Sequence, residues 1–294
     1  MKCDMHIHSK FSGACTTPLL RRICRESYSE PEAVYSLLRR RGMDLVTLTD
    51  HDSIEGAEEL RGRADFFTSE ELTCRMPSGA EVHIGVYDIT ERQHTHIQQR
   101  RDDLVGLLMY LTESRLFFSV NHVFSCLTGR READDFGWFR DYFPAIESRN
   151  GHMLRGQNKD SQRLARQWRK VEVAGSDAHA SASAATAYTE VPGARNKEEF
   201  FAGLRAGKGR VRGGSGNYLK LTRDVLIIGA GAMRENPWNL FLAPLALLVP
   251  VATYLNYRSE QKFGQLWAAA ILTQPQGRRP RWLAAPQSAM EGLT

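Results

Sequence analysis

The chain has 294 residues, 42% of them hydrophobic and 25% charged, ordinary values for a soluble globular protein and enough for a sizeable core. Its net charge of +5 hides an asymmetry. Arg205 to Thr294 holds 12 Lys/Arg against 4 Asp/Glu, a net of +8, which leaves a net of −3 before it. The basic character belongs to the last third, so charge gives the first two thirds no case for binding nucleic acid. Cys3, Cys15, Cys24, Cys74 and Cys126 are scattered without a C-x-x-C pair, which suggests neither a disulfide framework nor a Cys-bound zinc. The opening MKCDMHIHSKFSG has no apolar run, so no secretory signal is expected. The expected location is cytoplasmic.

In chain order, apolar runs predict strands at Cys3–Ile7, Leu45–Thr49, Phe66–Cys74, Glu81–Tyr87, Leu116–Asn121, Ala145–Ser148 and Val171–Gly175. Helical patterns fall between or after them at Pro31–Arg41, Ile54–Arg63, Thr95–Ser114, Asp160–Arg169 and Lys197–Ala206. That alternation predicts an α/β fold of parallel units, a wound sheet or a barrel, with sites at the carboxyl ends of strands. Periodicity breaks at GKGRVRGGSG, Gly207–Gly216, which divides a body of residues 1–215 from an extension, 216–273. Leu240–Leu255 in that extension is an uncharged apolar segment, short for a membrane span and carrying Pro244 and Pro250. Membrane association and packing on protein are both expectations for it. Residues 274–294, rich in Pro, Gln and Ala, are expected to be a disordered tail.

Six of the nine histidines sit in polar clusters at these strand ends. His6 and His8 alternate on one side of a strand. Asp50, His51 and Asp52 follow an apolar run in TLTDHDS, Glu70 and Glu71 lie in EELT, and His83 lies in VHIGVY. His122 follows Asn121, and Asp177 and His179 close GSDAH. Each piece has a bland reading: a satisfied core histidine, a helix cap at TDHD or SDAH, a solvated Glu pair. Their co-occurrence in one α/β chain does not. Imidazole and carboxylate together suit zinc, manganese or iron, and a carboxylate can bridge two ions. Arg149 and His152, in ESRNGH, are candidates for holding phosphoryl oxygens, and Asp50 and Asp52 for orienting ligand histidines. Arg100 and Arg101 read as a solvated helix face, as do His94 and His96. No Walker A loop, GxSxG elbow or dinucleotide fingerprint is present.

HIHSKFS, TLTDHDS, EELT, HIGVY, NHVF, AIESRN and GSDAH, in this order, resemble the motifs of the PHP (polymerase and histidinol phosphatase) family over about residues 2–215. The resemblance implies a distorted seven-stranded (β/α) barrel, here followed by an apolar helical segment, and a divalent-metal-dependent phosphoesterase. Its substrate would be a small phosphorylated molecule or a short nucleic acid. His6, His8, Glu71 and Asp177 would hold one ion. Glu71, chosen over Glu70 because x-Thr follows it, would bridge to a second ion with His83 and His122. His51 and His179 would serve a third. Gly13 and Ala14 stand where many relatives carry another ligand, so two ions are expected to be tight and the third labile, unless Asp50 or Asp52 replaces the missing group. The competing reading is a membrane-tethered regulatory or binding module, attached to the inner face of the membrane, with a degenerate or structural metal site.

Overall fold

The computed structural model describes residues 1–15, 21 and 23–273; the tail expected to be disordered, 274–294, lies outside the described residues. The chain opens with β1 (Lys2–Cys3). α1 (Pro31–Arg40) starts on a proline, whose missing N–H costs nothing at a helix start, and buries Val34 and Leu38. Of the helix expected at Ile54–Arg63 one turn forms, α2 (Glu55–Glu58), and Gly62 at φ 90° leads the chain away from helical geometry. β2 (Ser69–Arg75) and β3 (Glu81–Tyr87) form an antiparallel hairpin, with Gly79 at φ 82° in its turn. Two helices, α3 (Glu91–Gln98) and α4 (Leu104–Glu113), replace the single one expected at Thr95–Ser114. Asp103 causes the break, because its side chain accepts from the Gly106 N–H and caps a new helix.

Strand and helix then alternate through β4 (Phe117–Val120), α5 (Ala133–Tyr142), β5 (Ala145–Asn150), α6 (Arg155–Gln167) and β6 (Val171–Gly175). β7 (Ala187–Glu190), α7 (Lys197–Arg205), β8 (Arg210–Gly213) and α8 (Tyr218–Glu235) follow. A 3₁₀ stretch, Pro237–Leu248, leads into α9 (Val249–Leu272).

One sheet has the order β2-β3-β4-β5-β6 and the other β1-β7-β8. Only β4/β5 and β5/β6 are parallel; β2/β3, β3/β4, β1/β7 and β7/β8 are antiparallel, which corrects the expectation of parallel units throughout. Among the described residues no ladder closes the sheets into a barrel. They meet through isolated parallel bridges, Cys3↔Leu45, Val46↔Phe66, His51↔Glu71 and Ile7↔Ala178. The run Leu45–Thr49 pairs only through such bridges.

Apolar and polar residues divide along the strands. Phe117, Ala145 and Val173, at or near strand starts, pack with Phe200, Phe201 and Leu204 of α7. Burying one such aromatic contributes roughly 1.5–3 kcal/mol. The far ends of the same strands carry Asn121, Glu147, Asn150 and Ser176, all buried and polar. The extension is stitched onto this body. Glu260 of α9, 6% exposed, accepts from Ser125 Oγ (3.0 Å) and Gln157 Nε2 (2.6 Å), and Trp267 lies 5.4 Å from the Phe136 ring.

Candidate metal centre

After β1 the chain runs beside the end of β6, with Met5 N–H donating to Ala174 O (3.3 Å) and Ile7 bridging Ala178. His6 and His8, two residues apart, therefore face the same space. Gly175 permits the approach, since a Cβ there would meet His6 N at 2.3 Å. His6 Nε2 lies 3.0 Å from His8 Nε2, 3.0 Å from Glu71 Oε2 and 3.4 Å from Asp177 Oδ1. His8 Nε2 lies 3.3 Å from Asp177 Oδ1 and 3.5 Å from Glu71 Oε2. Four ligand atoms about 2.0–2.1 Å from a central zinc-like ion would stand about 3.3–3.4 Å apart. The donor set and its spacing fit such an ion.

The other Glu71 oxygen serves a second group. Oε1 lies 3.5 Å from His83 Nδ1 and 3.3 Å from His122 Nε2, and Asn121 Nδ2 donates to it (2.8 Å). His51 also reaches Glu71, with Nδ1 3.5 Å from Oε2. The third region is formed by His51 and His179, whose rings lie 4.7 and 4.1 Å from that of His8. Both are partly exposed, whereas His6, His8, Glu71, His122 and Asp177 are buried, so solvent reaches the cluster past His51 and His179. Two of the group hold backbone that non-glycine residues rarely adopt, His122 at φ 30° and Asp177 at φ 52°. Strain of this kind persists where surrounding contacts enforce it: His122 N–H donates to Glu147 Oε2 (3.0 Å), and Asp177 N–H to His6 O (2.6 Å).

Opposed charges dominate the electrostatics. Burial disfavours charge on His6, but Asp177, Glu71 and Glu147 outweigh it and raise its pKa well above the usual value. Burial likewise opposes charge on His83 and His179, yet Glu71 lifts the first to about 10 and Glu26 lifts the second to about 9. His8 goes the other way, pushed down by burial and then by His179. Glu71 and Asp177 are held well below the carboxylate range, because His6 and its neighbours overcome their burial. Divalent ions would replace the protons that neutralise these buried carboxylates in the metal-free protein.

The remaining expected residues divide. Asp50 accepts from Ser9 N (2.6 Å), Ser9 Oγ (2.6 Å) and Ser12 Oγ (2.8 Å), and Ser12 Oγ meets His8 Nδ1 at 2.9 Å. It orients His8 through a serine and does not turn inward as a replacement ligand. Asp52 is a correction: it accepts from Thr73 N (2.9 Å) and pairs with Arg101 (3.0 Å), so its carboxylate is spent outside the cluster. Arg149 is another. A register shift between Glu147 and Arg149 breaks the strand's alternation, and Arg149 Nη1 donates to Gly213 O (2.8 Å). His152 does lie at the mouth, 6.2 Å from the His179 ring, with Nε2 3.0 Å from Asp224 Oδ2 of α8. Glu70 faces away, contacting His94 (2.9 Å) and Gln98 (2.7 Å).

Sequence reasoning missed three carboxylates. Glu147 Oε1 lies 2.8 Å from His6 Nδ1 and fixes that ring; its place beside the expected Arg149 was the available signal. Asp224 lies beyond the expected body. Glu26, in the polar run ICRESYSE, looks like any solvated acid. Its Oε2 nevertheless lies 3.1 Å from His51 Nε2 and 3.6 Å from His179 Nε2. Burial would raise its pKa, but His179 and His51 hold it far below the usual range.

Residues 155–208 match the model of a family described as PHP-associated, in agreement with the family that the ordered motifs resemble. The chain is PHP-like, and the match itself spans α6 through α7. An uncharacterized protein of Methanocaldococcus jannaschii is 34% identical over 61 residues, 21% of this chain. The chain spans 34% of that curated relative's length. Among solved structures, PsfC from Pseudomonas syringae superposes with a TM-score of 0.53 at 14% identity, over 79% of this chain and 98% of that one, which shows a shared fold. The lesion-specific endonuclease PfuEndoQ from Pyrococcus furiosus reaches 0.48 at 14% identity, over 71% and 57%, too slight a likeness to bear on the site.

Proposed function

We propose that the chain is a hydrolase of phosphate esters that works with divalent ions, manganese, zinc or iron, held by His6, His8, Glu71 and Asp177 and by Glu71, His83 and His122. The observation that carries this reading is Glu71. It presents one oxygen to each group, within 3.0–3.5 Å of His6 and His8 on one side and 3.3–3.5 Å of His122 and His83 on the other. Ions so held would supply a water of lowered pKa and a positive clamp for phosphoryl oxygens. The chain's own groups do the positioning. Glu147 fixes His6, Asp50 acts on His8 through Ser12, and Asn121 holds the bridging carboxylate. His152, anchored by Asp224, is placed to steady a non-reacting oxygen at the mouth. The isolated bridges between the two sheets support reading the body, residues 1–215, as a distorted seven-stranded (β/α) barrel, with 216–273 as an extension.

The test is a screen of phosphomonoesters, bisphosphate nucleotides and short oligonucleotides against protein loaded with each metal. Chelator-sensitive turnover of at least one class is expected. No turnover of any by metal-loaded protein would favour the regulatory module with a structural site.

The same proposal places the protein in the cytoplasm, against the inner face of a membrane. Pro237–Leu272 is long and apolar enough to cross a membrane, and Trp238, Phe241, Leu247 and Leu255 stand exposed on it. Exposed apolar faces of this size mark contact sites. Flotation with anionic vesicles is the expected result, and a chain that stays with the soluble fraction would remove this part.

A further inference from the structure

The carboxylate of Glu26 stands where the sequence leaves a ligand missing. Gly13 and Ala14 offer none, and Asp50 and Asp52 are committed elsewhere. We infer that Glu26, with His51 and His179, forms a third divalent-cation site with a complete set of protein ligands. This rests on the reading of the cluster as a metal centre.

Three observations carry it. First, Glu26 Oε2 lies 3.1 Å from His51 Nε2 and 3.6 Å from His179 Nε2, yet this buried oxygen makes no hydrogen bond. Donor atoms that close without hydrogen-bond geometry are spaced as ligands around an ion, where about 3.3 Å is expected for bonds of about 2.0–2.1 Å. Second, two imidazoles and one carboxylate are a known ligand set for a catalytic ion that keeps a position open, and the partial exposure of His51 and His179 provides that opening. Third, the loop bearing Glu26 is built to hold it in place. Glu26 N–H donates to Gly13 O (3.2 Å), Ala14 bridges Arg25, and Cys15 N–H donates to Cys24 O (2.9 Å). The extension clamps the outer side of this loop. Arg25 Nε donates to Glu235 Oε1 of α8 (2.7 Å), Asn239 Nδ2 donates to Ile23 O (3.2 Å), and Gly231 lets the helix approach the Tyr28 ring, where a Cβ would come within 2.6 Å.

The carboxylate is thus held by the pairing of residues 13–15 with 24–26, and the helices after the body help to hold it. His51 Nδ1 lies against Glu71 Oε2 while its Nε2 faces Glu26, so one ring links the outer site to the inner pair.

The experiment measures zinc retained per chain after exhaustive dialysis, and zinc affinity by competition with a chromogenic chelator, for the full chain and for Glu26→Gln. Three equivalents are expected in the parent and two in the variant, with the outer ion's affinity lowered at least tenfold, since even groups one step removed from an ion are worth about 10–100-fold. Glu26→Gln preserves shape, and a thermal melt of the metal-free proteins checks folding. Independently, anomalous scattering from zinc-loaded parent crystals should place a peak among Glu26, His51 and His179. Equal retention by the two proteins, or a third zinc located away from Glu26, overturns the assignment. Because these readouts are of binding, loss of phosphoesterase activity alone would fall on the functional proposal, and loss of the Glu26 dependence alone on this one.

Discussion

The metal centre and the extension place polar and apolar groups in opposite ways. At the centre, His6, His8, Glu71, His83, His122 and Asp177 and the supporting carboxylates of Asp50 and Glu147 are buried at the ends of strands, where each would be costly unless paired. Along 237–255, by contrast, Trp238, Phe241, Leu247 and Leu255 face outward. The second half of α9 behaves ordinarily again, burying Ala268 and Ile271 in the main core. Buried charge at the centre is met by opposite charge, and the apolar face of the extension stands uncovered among the described residues.

His8→Ala removes a ligand facing both Glu71 and Asp177, and should lower turnover by on the order of 10³-fold or more, the equivalent of several kcal/mol of lost charge stabilisation. Unchanged turnover with unchanged metal content would remove His8 from the site. Glu147→Gln leaves every ligand in place but loosens His6, so ion affinity should fall about 10–100-fold, read by chelator competition. An effect below twofold would make Glu147 structural only.

Where the extension joins the body, Glu260→Ala leaves the Gln157, Ser125 and Cys126 donors without their acceptor, and should cost about 1–3 kcal/mol in chemical denaturation. On the exposed face, Leu247→Ser should change stability by no more than about 0.5 kcal/mol while reducing vesicle flotation. If stability falls as much as in Glu260→Ala, the face is core after all.

A pH titration sharpens the contrast further. His83 and His179 carry raised pKa values, about 10 and about 9, in the metal-free protein. A raised histidine contributes stability that is full below its unfolded value of about 6.5 and fades as pH climbs through its folded value. Metal-free protein should therefore melt at progressively lower temperature from pH 7 to pH 10. Ion uptake should strengthen over the same interval, because the ligands must shed those protons. A flat melting profile would show that these two histidines are not charged in the metal-free state.

Much of the centre was legible because its ligand types repeat at the ends of apolar runs, where few structural roles require them. Glu26 was not, since a carboxylate in a polar loop carries no periodicity and its partners lie 25 residues and more away. Glu147 had only its place beside Arg149 as a signal, and the bulge between them turns Glu147, not Arg149, toward the cluster. The antiparallel hairpin of β2 and β3 has its signal in Pro77-Ser78-Gly79 between two apolar runs. β8 lay inside the glycine-rich segment read as a boundary, because pairing with β7 overrides weak local propensity there.

The most direct test is anomalous diffraction from manganese-loaded crystals. The account predicts one peak among His6, His8, Glu71 and Asp177 and a second among Glu71, His83 and His122, with Glu71 touching both. Fully loaded protein with no peak at either position, or with manganese bound only at surface carboxylates, would contradict it.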